Sequence, residues 1–154
     1  MDSQRWSIQQ IKCIIGEEMK YKYHKDGTLP DENADHMMVF VFGSNLAGIH
    51  GAGAAKKAMQ SYGAEYGKGI GLHGESYAIP TKDKNIETMS LDDISMHVDS
   101  FKRYANQMAK LNIEFFITRI GCGLAGYKDS DIAPLFIDSP TNCNFPKKWK
   151  EYLE

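Results

Sequence analysis

Apolar residues follow two rhythms along this chain of 154 residues. From Leu91 they recur at three- and four-residue steps, through Ile94, Val98, Phe101, Ala105 and Met108, which is the spacing of one helix face. Ser90 stands where a capping hydroxyl belongs. Asp92 and Asp93 suit the positive end of the helix dipole, and Arg103 and Lys110 lie towards the other end. A helix over 91–110 is predicted, with its stripe in the core. Three other segments, 37–42, 76–80 and 113–120, are short runs rich in β-branched and aromatic residues. They read as buried strands. The alanine-rich segment 54–62 reads as a helix, with Gly63 where a C-cap glycine belongs. A short helix starts at Ser130 or Asp131 and runs to Phe136, with Pro134 tolerable in its first turn. Trp149 and Tyr152 dock a last short helix. Strands alternating with helices predict an α/β fold, a mixed sheet with helices on its faces.

Residues 1–36 differ from the rest. Ile8, Ile11, Ile14 and Ile15 are spaced like a helix face, Gly16 interrupts, and a polar stretch over 21–25 follows. Asp26-Gly27 and Leu29-Pro30 read as turns. This region is treated as an N-terminal extension packed on or preceding the core, and 37–154 as the domain proper.

The length fits one domain, which buries about 70% of the surface its unfolded chain exposes. A net charge of −2 gives none of the basic excess that phosphate contacts demand of nucleic-acid binders. Lys147, Lys148 and Lys150 read as a solvated helix face. Cys13, Cys122 and Cys143 are odd in number and form no CxxC pair, which argues against a disulfide framework or a zinc site. No HxxxH or HExxH pattern suggests a metal. No cofactor and no partner protein is predicted. With no signal-peptide pattern and no apolar run of roughly 20 residues, neither secretion nor a membrane partner is expected. A reducing cytoplasm is the expected location.

Glycine is unevenly placed: 12 of the 14, all but Gly16 and Gly27, lie between Gly43 and Gly126. The first cluster, 43–53, follows a strand and opens a helix. Exposed backbone N–H groups in such a loop make an anion site, aided by the helix dipole. It is not a Walker loop, because Ala54 stands where the lysine should be. The second cluster, 121–126, is a literal GxGxxG between a strand and a helix. A Rossmann reading would need a further strand and an acidic residue about 20 positions on. Only 28 residues remain and 139–146 is rich in turn formers. Another literal GxGxxG, 69–74, precedes a strand and reads as a loop with no phosphate role. Two anion loops in a small domain suggest a ligand with two phosphates.

At these residues the chain resembles macro domains. The resemblance rests on Asn45 within VFGSNLAG, the glycine loop and its helix, the SYAIPTKD stretch with Lys82, and Arg119 to Leu124 (RIGCGL). It covers about 39–136 and is closest to the branch that removes terminal ADP-ribose from acidic side chains. Small macro-like proteins carried by bacteriophages are similar along the whole chain. The resemblance implies a three-layer fold with helices on both sheet faces and an ADP-ribose-like ligand. It implies that Ser44 and Asn45 sit at the site, Asn45 against the distal ribose. Gly51, Gly53 and Ala54 would wrap the diphosphate from one side. Gly121, Cys122, Gly123 and Leu124 would close from the other, with Tyr127 near the distal ribose. Lys82 matches the lysine that attacks the anomeric carbon, with Asn45 beside it in the catalytic set.

The hydrolase branch carries an aspartate where this chain has Ala125, and the general acid or base is then unassigned. Asp83, Asp129 and Asp131 are the candidate substitutes. The family's Gly-Asp-Ile motif is absent, with Gly16-Glu17-Glu18 a loose stand-in. From the residues themselves, Asn45 could equally close an Asx-turn. His50 and His73 could serve a phosphate or simply a turn, and Cys122 could be a stabilised thiolate or a small buried residue. Three functions follow. One is an ADP-ribose binder that, if an enzyme, is an ADP-ribosyl glycohydrolase or ADP-ribose 1″-phosphatase. The others are a non-catalytic phage-type binder that sequesters an NAD-derived nucleotide, and a nucleotide-processing enzyme on a Rossmann-like sheet.

Overall fold

Val39, Phe40, Val41 and Phe42 are all buried, and they set the middle of the sheet. Val39 and Val41 enter the larger core, Phe40 and Phe42 the smaller one on the opposite face. A strand that is apolar on both sides has to be covered on both. The computed structural model describes residues 5, 7, 8, 10, 19–32 and 36–154. Ile11, Ile14 and Ile15 of the expected N-terminal helix lie outside the described residues, as do Cys13 and Gly16-Glu17-Glu18.

The strands are β1 (Lys22–His24), β2 (Met38–Asn45), β3 (Gly71–His73), β4 (Ser76–Lys82), β5 (Glu114–Ile117) and β6 (Cys143–Pro146). They form one sheet in the order β1-β6-β5-β2-β4-β3. All neighbours are parallel except β3, which runs antiparallel to β4. The helices are α1 (Gly53–Ser61), α2 (Leu91–Met108), α3 (Asp129–Ile132) and α4 (Lys150–Leu153). Ala55 and Ala58 of α1 seal the smaller core. Residues of α2, α3 and α4 all enter the larger one. The fold is therefore a three-layer α/β arrangement around a mixed sheet, as the sequence predicts.

Helix α2 is built as its stripe requires. Ile94, Val98, Phe101 and Ala105 are buried, and the Ser90 hydroxyl accepts the Asp93 N–H at 3.2 Å. It ends two residues before the predicted boundary. Ala109–Leu111 tightens into a 3-10 turn and Asn112 adopts φ 56, a left-handed conformation that asparagine tolerates. Helix α3 starts at Asp129, earlier than expected, because the Asp131 carboxylate accepts the Lys128 N–H at 3.0 Å.

Several expectations need correction. Strand β2 runs on through Gly43, Ser44 and Asn45, which the sequence assigned to a loop. Strand β5 stops at Ile117, three residues early. The segment 139–146 contains strand β6: Cys143 and Phe145 point into the larger core, and Asn144 donates its amide to Glu114 at 3.3 Å. The Rossmann reading thus gains the strand it seemed to lack, yet Lys147 and Lys148 follow that strand instead of an acid. The segment 69–74 is not a plain loop, since β3 lies inside it and Gly74, at φ 60, turns the chain back into β4.

This topology positions a crevice. The chain leaves β2 for α1 on one face and leaves the adjacent β5 for α3 on the other. Loops diverging from the carboxyl ends of neighbouring parallel strands open a gap where ligands bind.

Candidate functional site

The gap begins at a bulge. Strands β2 and β4 pair in step as far as Ser44 with Pro80, and then Asn45 pairs with Lys82. Thr81 is the extra residue, and its hydroxyl donates to the Ser44 carbonyl at 3.3 Å. Bulges of this kind re-aim side chains beside sites. The Ser44 hydroxyl donates to the Gly69 carbonyl at 2.5 Å. A Cβ on Gly69 would lie 2.0 Å from the Asn45 carbonyl oxygen, so only glycine permits this approach.

Beyond the bulge the Asn45 side chain organises the first loop. Its amide donates to the Ile49 carbonyl at 2.8 Å and its oxygen accepts the Ile49 N–H at 3.0 Å. The turn-closing role is thus present, and one amide hydrogen remains over. His50 is buried with Nε2 3.0 Å from the Glu65 carbonyl and 3.1 Å from that of Lys68. It fastens the loop to 65–68 and does not line the cleft. His73 Nε2 lies 3.1 Å from the Ile70 carbonyl, within its own turn. From Gly51 to Ala55, no backbone N–H has a hydrogen-bond partner among the described residues. The N-cap of helix α1 is Ala52, which supplies no capping side chain. A helix with such a start leaves its first N–H groups free for an anion.

The second loop is held from behind. A Cβ on Gly121, at φ 77, would meet the Ile132 side chain at 2.9 Å. The Gly121 carbonyl accepts the Tyr127 N–H at 2.9 Å and the Gly123 carbonyl accepts that of Gly126 at 3.0 Å. The N–H groups of Gly121, Gly123, Leu124 and Ala125 have no partner among the described residues. Arg119 is gripped by Asp129 through two bonds of 2.9 and 2.8 Å, and the Trp149 indole donates to the same carboxylate at 2.7 Å. The Arg119 hydrogen bond is the main reason the Asp129 carboxyl titrates below its ordinary value. Asp26, in the turn after β1, stands 3.7 Å from Arg119.

Cys122 corrects one reading. Burial, reinforced by the Asp129 carboxylate, pushes its thiol up to about 12. The helix entrance does not stabilise a thiolate there, because desolvation and a neighbouring negative charge both favour the neutral form.

The two loops enclose a cavity of about 590 Å³, within the range of small-molecule sites. Ser44, Asn45, Gly51, Gly53, Ala54, Lys82, Gly121, Cys122, Gly123 and Leu124 all line it. Tyr127 does not: its hydroxyl donates to the Met89 carbonyl at 2.5 Å. The three candidate carboxylates are also elsewhere. Asp83 closes its own turn, Asp129 holds Arg119, and Asp131 caps α3. Among the described lining residues there is no aspartate, glutamate or histidine, and the charged ones are Lys82 and Arg119. The Ala125 carbonyl, where the hydrolase branch carries its acid, accepts the Thr88 hydroxyl at 3.0 Å.

On the third wall, where Thr81, Lys82 and Ile86 line the cleft, the sequence named Lys82 and missed the other two. A signal was present, for Asp83 two positions before Asn85 is an Asx-turn pattern. The Asp83 carboxylate indeed accepts the Asn85 N–H at 2.8 Å.

Among the described residues no group of three or more His, Cys, Asp or Glu side chains could hold a metal. No helix is long and apolar enough to cross a membrane. No family model matches the chain, and no curated protein matches it. Two solved structures are similar in fold. A protein of unknown function from Bacteroides thetaiotaomicron superposes with a TM-score of 0.57 at 17% identity, over 84% of this chain and 98% of its own. A macrodomain protein from Streptomyces coelicolor superposes with a TM-score of 0.50 at 16% identity, over 82% of this chain and 97% of its own. The chain has a macro-domain-like fold.

Proposed function

We propose that this protein binds a diphosphate-bearing nucleotide of the ADP-ribose class in the cleft between its two glycine loops, and that it binds without turnover. One observation carries the reading: free backbone N–H groups of 51–55 and of the 121–125 loop border one cavity whose described charged residues are cationic. Two separated N–H clusters suit two linked phosphates. A phosphate at α1 would supply the cap that Ala52 does not, and alanine is a poor residue there. Asn45 and Lys82 would take the distal ribose, and Gly121, Gly123 and Leu124 the second phosphate. The macrodomain neighbour adds weight to this ligand class.

The competing reading is hydrolysis of an ADP-ribosyl bond, with Lys82 attacking the anomeric carbon. It is favoured by Lys82 standing beside Asn45 in the cleft. It needs a neutral amine and an acid for the leaving group. The described lining residues offer no carboxylate or imidazole for that step, so binding is preferred. A non-catalytic role of the phage type, sequestering an NAD-derived nucleotide, fits the same chemistry.

Thermal unfolding with ADP-ribose, AMP and NAD tests this. A ligand at 100 times its Kd adds about 2.7 kcal/mol, a melting shift of roughly 5–10 °C for a domain this size. The expected result is the largest shift with ADP-ribose, and no loss of the modification from a glutamate-linked ADP-ribosyl peptide. No shift with any of the three compounds overturns the reading. Release of ADP-ribose from the peptide overturns the claim of binding without turnover.

A further inference from the structure

The second loop is made of residues that resist ordering. Gly121, Gly123 and Gly126 lie within six residues, and glycine loses the most conformational freedom on being fixed. The first half of the loop is anchored, since Cys122 packs against the larger core and donates its N–H to the Arg119 carbonyl at 3.1 Å. The second half carries Leu124, which is 75% exposed. The free N–H groups of Gly121, Gly123, Leu124 and Ala125 can serve an anion well only if they converge before it arrives.

Two hydroxyls hold the second half, both through the segment between β4 and α2. The Thr88 hydroxyl donates to the Ala125 carbonyl at 3.0 Å, and the Tyr127 hydroxyl donates to the Met89 carbonyl at 2.5 Å. The two bonds run in opposite directions and bracket Gly126. The segment they use is itself fixed. Thr88 pairs with Lys82 at the end of β4, and the buried Met89 donates its N–H to the Thr81 carbonyl at 2.9 Å. The turn before it is over-determined. The Asp83 carboxylate accepts the N–H groups of Asn85 and Glu87 at 2.8 and 3.0 Å, and between them Ile86 is held at φ 62. A β-branched residue seldom adopts that left-handed conformation, and strain that its surroundings maintain belongs with function. Neither Thr88 nor Tyr127 lines the cleft. We propose that they are positioning residues for the phosphate site, a clasp that fixes the N–H groups of the second loop in their binding arrangement. The inference rests on the proposed phosphate site and adds the side chains that preorganise it. Loosening the clasp lowers the fraction of molecules ready to bind, and apparent affinity falls by that fraction.

Calorimetric titration of pyrophosphate and ADP-ribose into the wild type, Thr88→Val, Thr88→Ser and Tyr127→Phe tests the clasp. Hydrogen exchange of the Gly126 amide, which donates to the Gly123 carbonyl, is followed alongside. Thr88→Val and Tyr127→Phe should each bind both compounds roughly fivefold more weakly, the worth of one hydrogen bond, and exchange the Gly126 amide faster by a similar factor. Thr88→Ser keeps the hydroxyl and should match the wild type in both measurements. Unchanged affinity in both Thr88→Val and Tyr127→Phe, whatever their melting temperatures, leaves the two bonds a structural role alone and overturns the clasp. Binding by Thr88→Ser as weak as that of Thr88→Val overturns it too. Either result leaves the phosphate site standing. A wild type that binds neither compound overturns the phosphate site and the clasp with it.

Discussion

Asn45 and Lys82 form the last pair of the β2–β4 ladder, one step beyond a bulge that leaves Thr81 between the strands. The bulge brings an amide and an ammonium together at the mouth of the cleft. It does so while the Asn45 side chain is already engaged twice with Ile49. In the proposed reading, loop shape and ligand contact share one residue, and a substitution there should separate the two.

Asn45→Asp keeps the acceptor for the Ile49 N–H and loses the donor to its carbonyl. A lost hydrogen bond costs about 1 kcal/mol, so the melting temperature should fall by roughly 2–4 °C. The added carboxylate repels an incoming phosphate, and affinity for ADP-ribose should fall roughly tenfold or more. Differential scanning fluorimetry and calorimetry read the two effects separately. Undiminished affinity would remove Asn45 from the binding set.

Two glycines should respond oppositely to a methyl group. Gly69→Ala places it 2.0 Å from the Asn45 carbonyl, and backbone must move to admit it. Urea unfolding should show a loss of about 3 kcal/mol. Gly51→Ala meets nothing within 4 Å and has no positive φ. It should be neutral or stabilise by about 0.5 kcal/mol, through the unfolded chain.

Cys122 should be inert. With its thiol pushed up to about 12, almost none is thiolate at pH 8. Iodoacetamide labelling of the native protein, followed by peptide mapping, should leave Cys122 and the buried Cys143 unmodified while labelling both after denaturation. Rapid native labelling of Cys122 would contradict the account of its surroundings.

Acid should weaken the edge of the sheet. His24 stacks on Phe116 with ring centroids 3.8 Å apart, and burial lowers its pKa from the ordinary 6.5. The folded state therefore binds the proton less readily than the unfolded chain. The stabilisation is complete above about 6.5 and is lost as pH falls through the depressed folded value. Asp129 is also depressed, from 3.8, chiefly by Arg119, and its contribution is lost only at lower pH still. His24→Phe keeps a ring on Phe116 and removes the titration. Its drop in melting temperature between pH 7.5 and pH 5 should be smaller than that of the wild type.

Long, strongly patterned elements were legible in the sequence. The α2 stripe and the apolar β2 run follow from the spacing of apolar residues, which reports burial directly, and the glycine loops from glycines clustered between strands and helices. The strands β1, β3 and β6 were not legible. Each has only three or four residues, and their pairing is decided by neighbours far along the chain. Strand β6 also carries Asn144, a polar residue made acceptable by Glu114 and Phe115 across the strand. The place of Ile86 in the cleft was hidden for a different reason. The conformation of Ile86 is imposed by the Asp83 turn, and nothing in an isoleucine announces a left-handed backbone. The identity of the residues between Gly121 and Gly126 was legible, but Tyr127 was drawn away from the cleft by the Met89 carbonyl, a contact between segments 38 positions apart.

The central claim is that the two loops hold a diphosphate. Gly123 has no positive φ, and a Cβ there meets nothing within 4 Å, so Gly123→Glu puts a carboxylate into the cleft without straining the fold. Isothermal titration of ADP-ribose into the wild type and this variant is the most direct measurement. The account predicts saturable binding at one site in the wild type and none in Gly123→Glu, with both proteins melting within about 2 °C of each other. Equal binding by the two proteins would place the ligand elsewhere and contradict the claim.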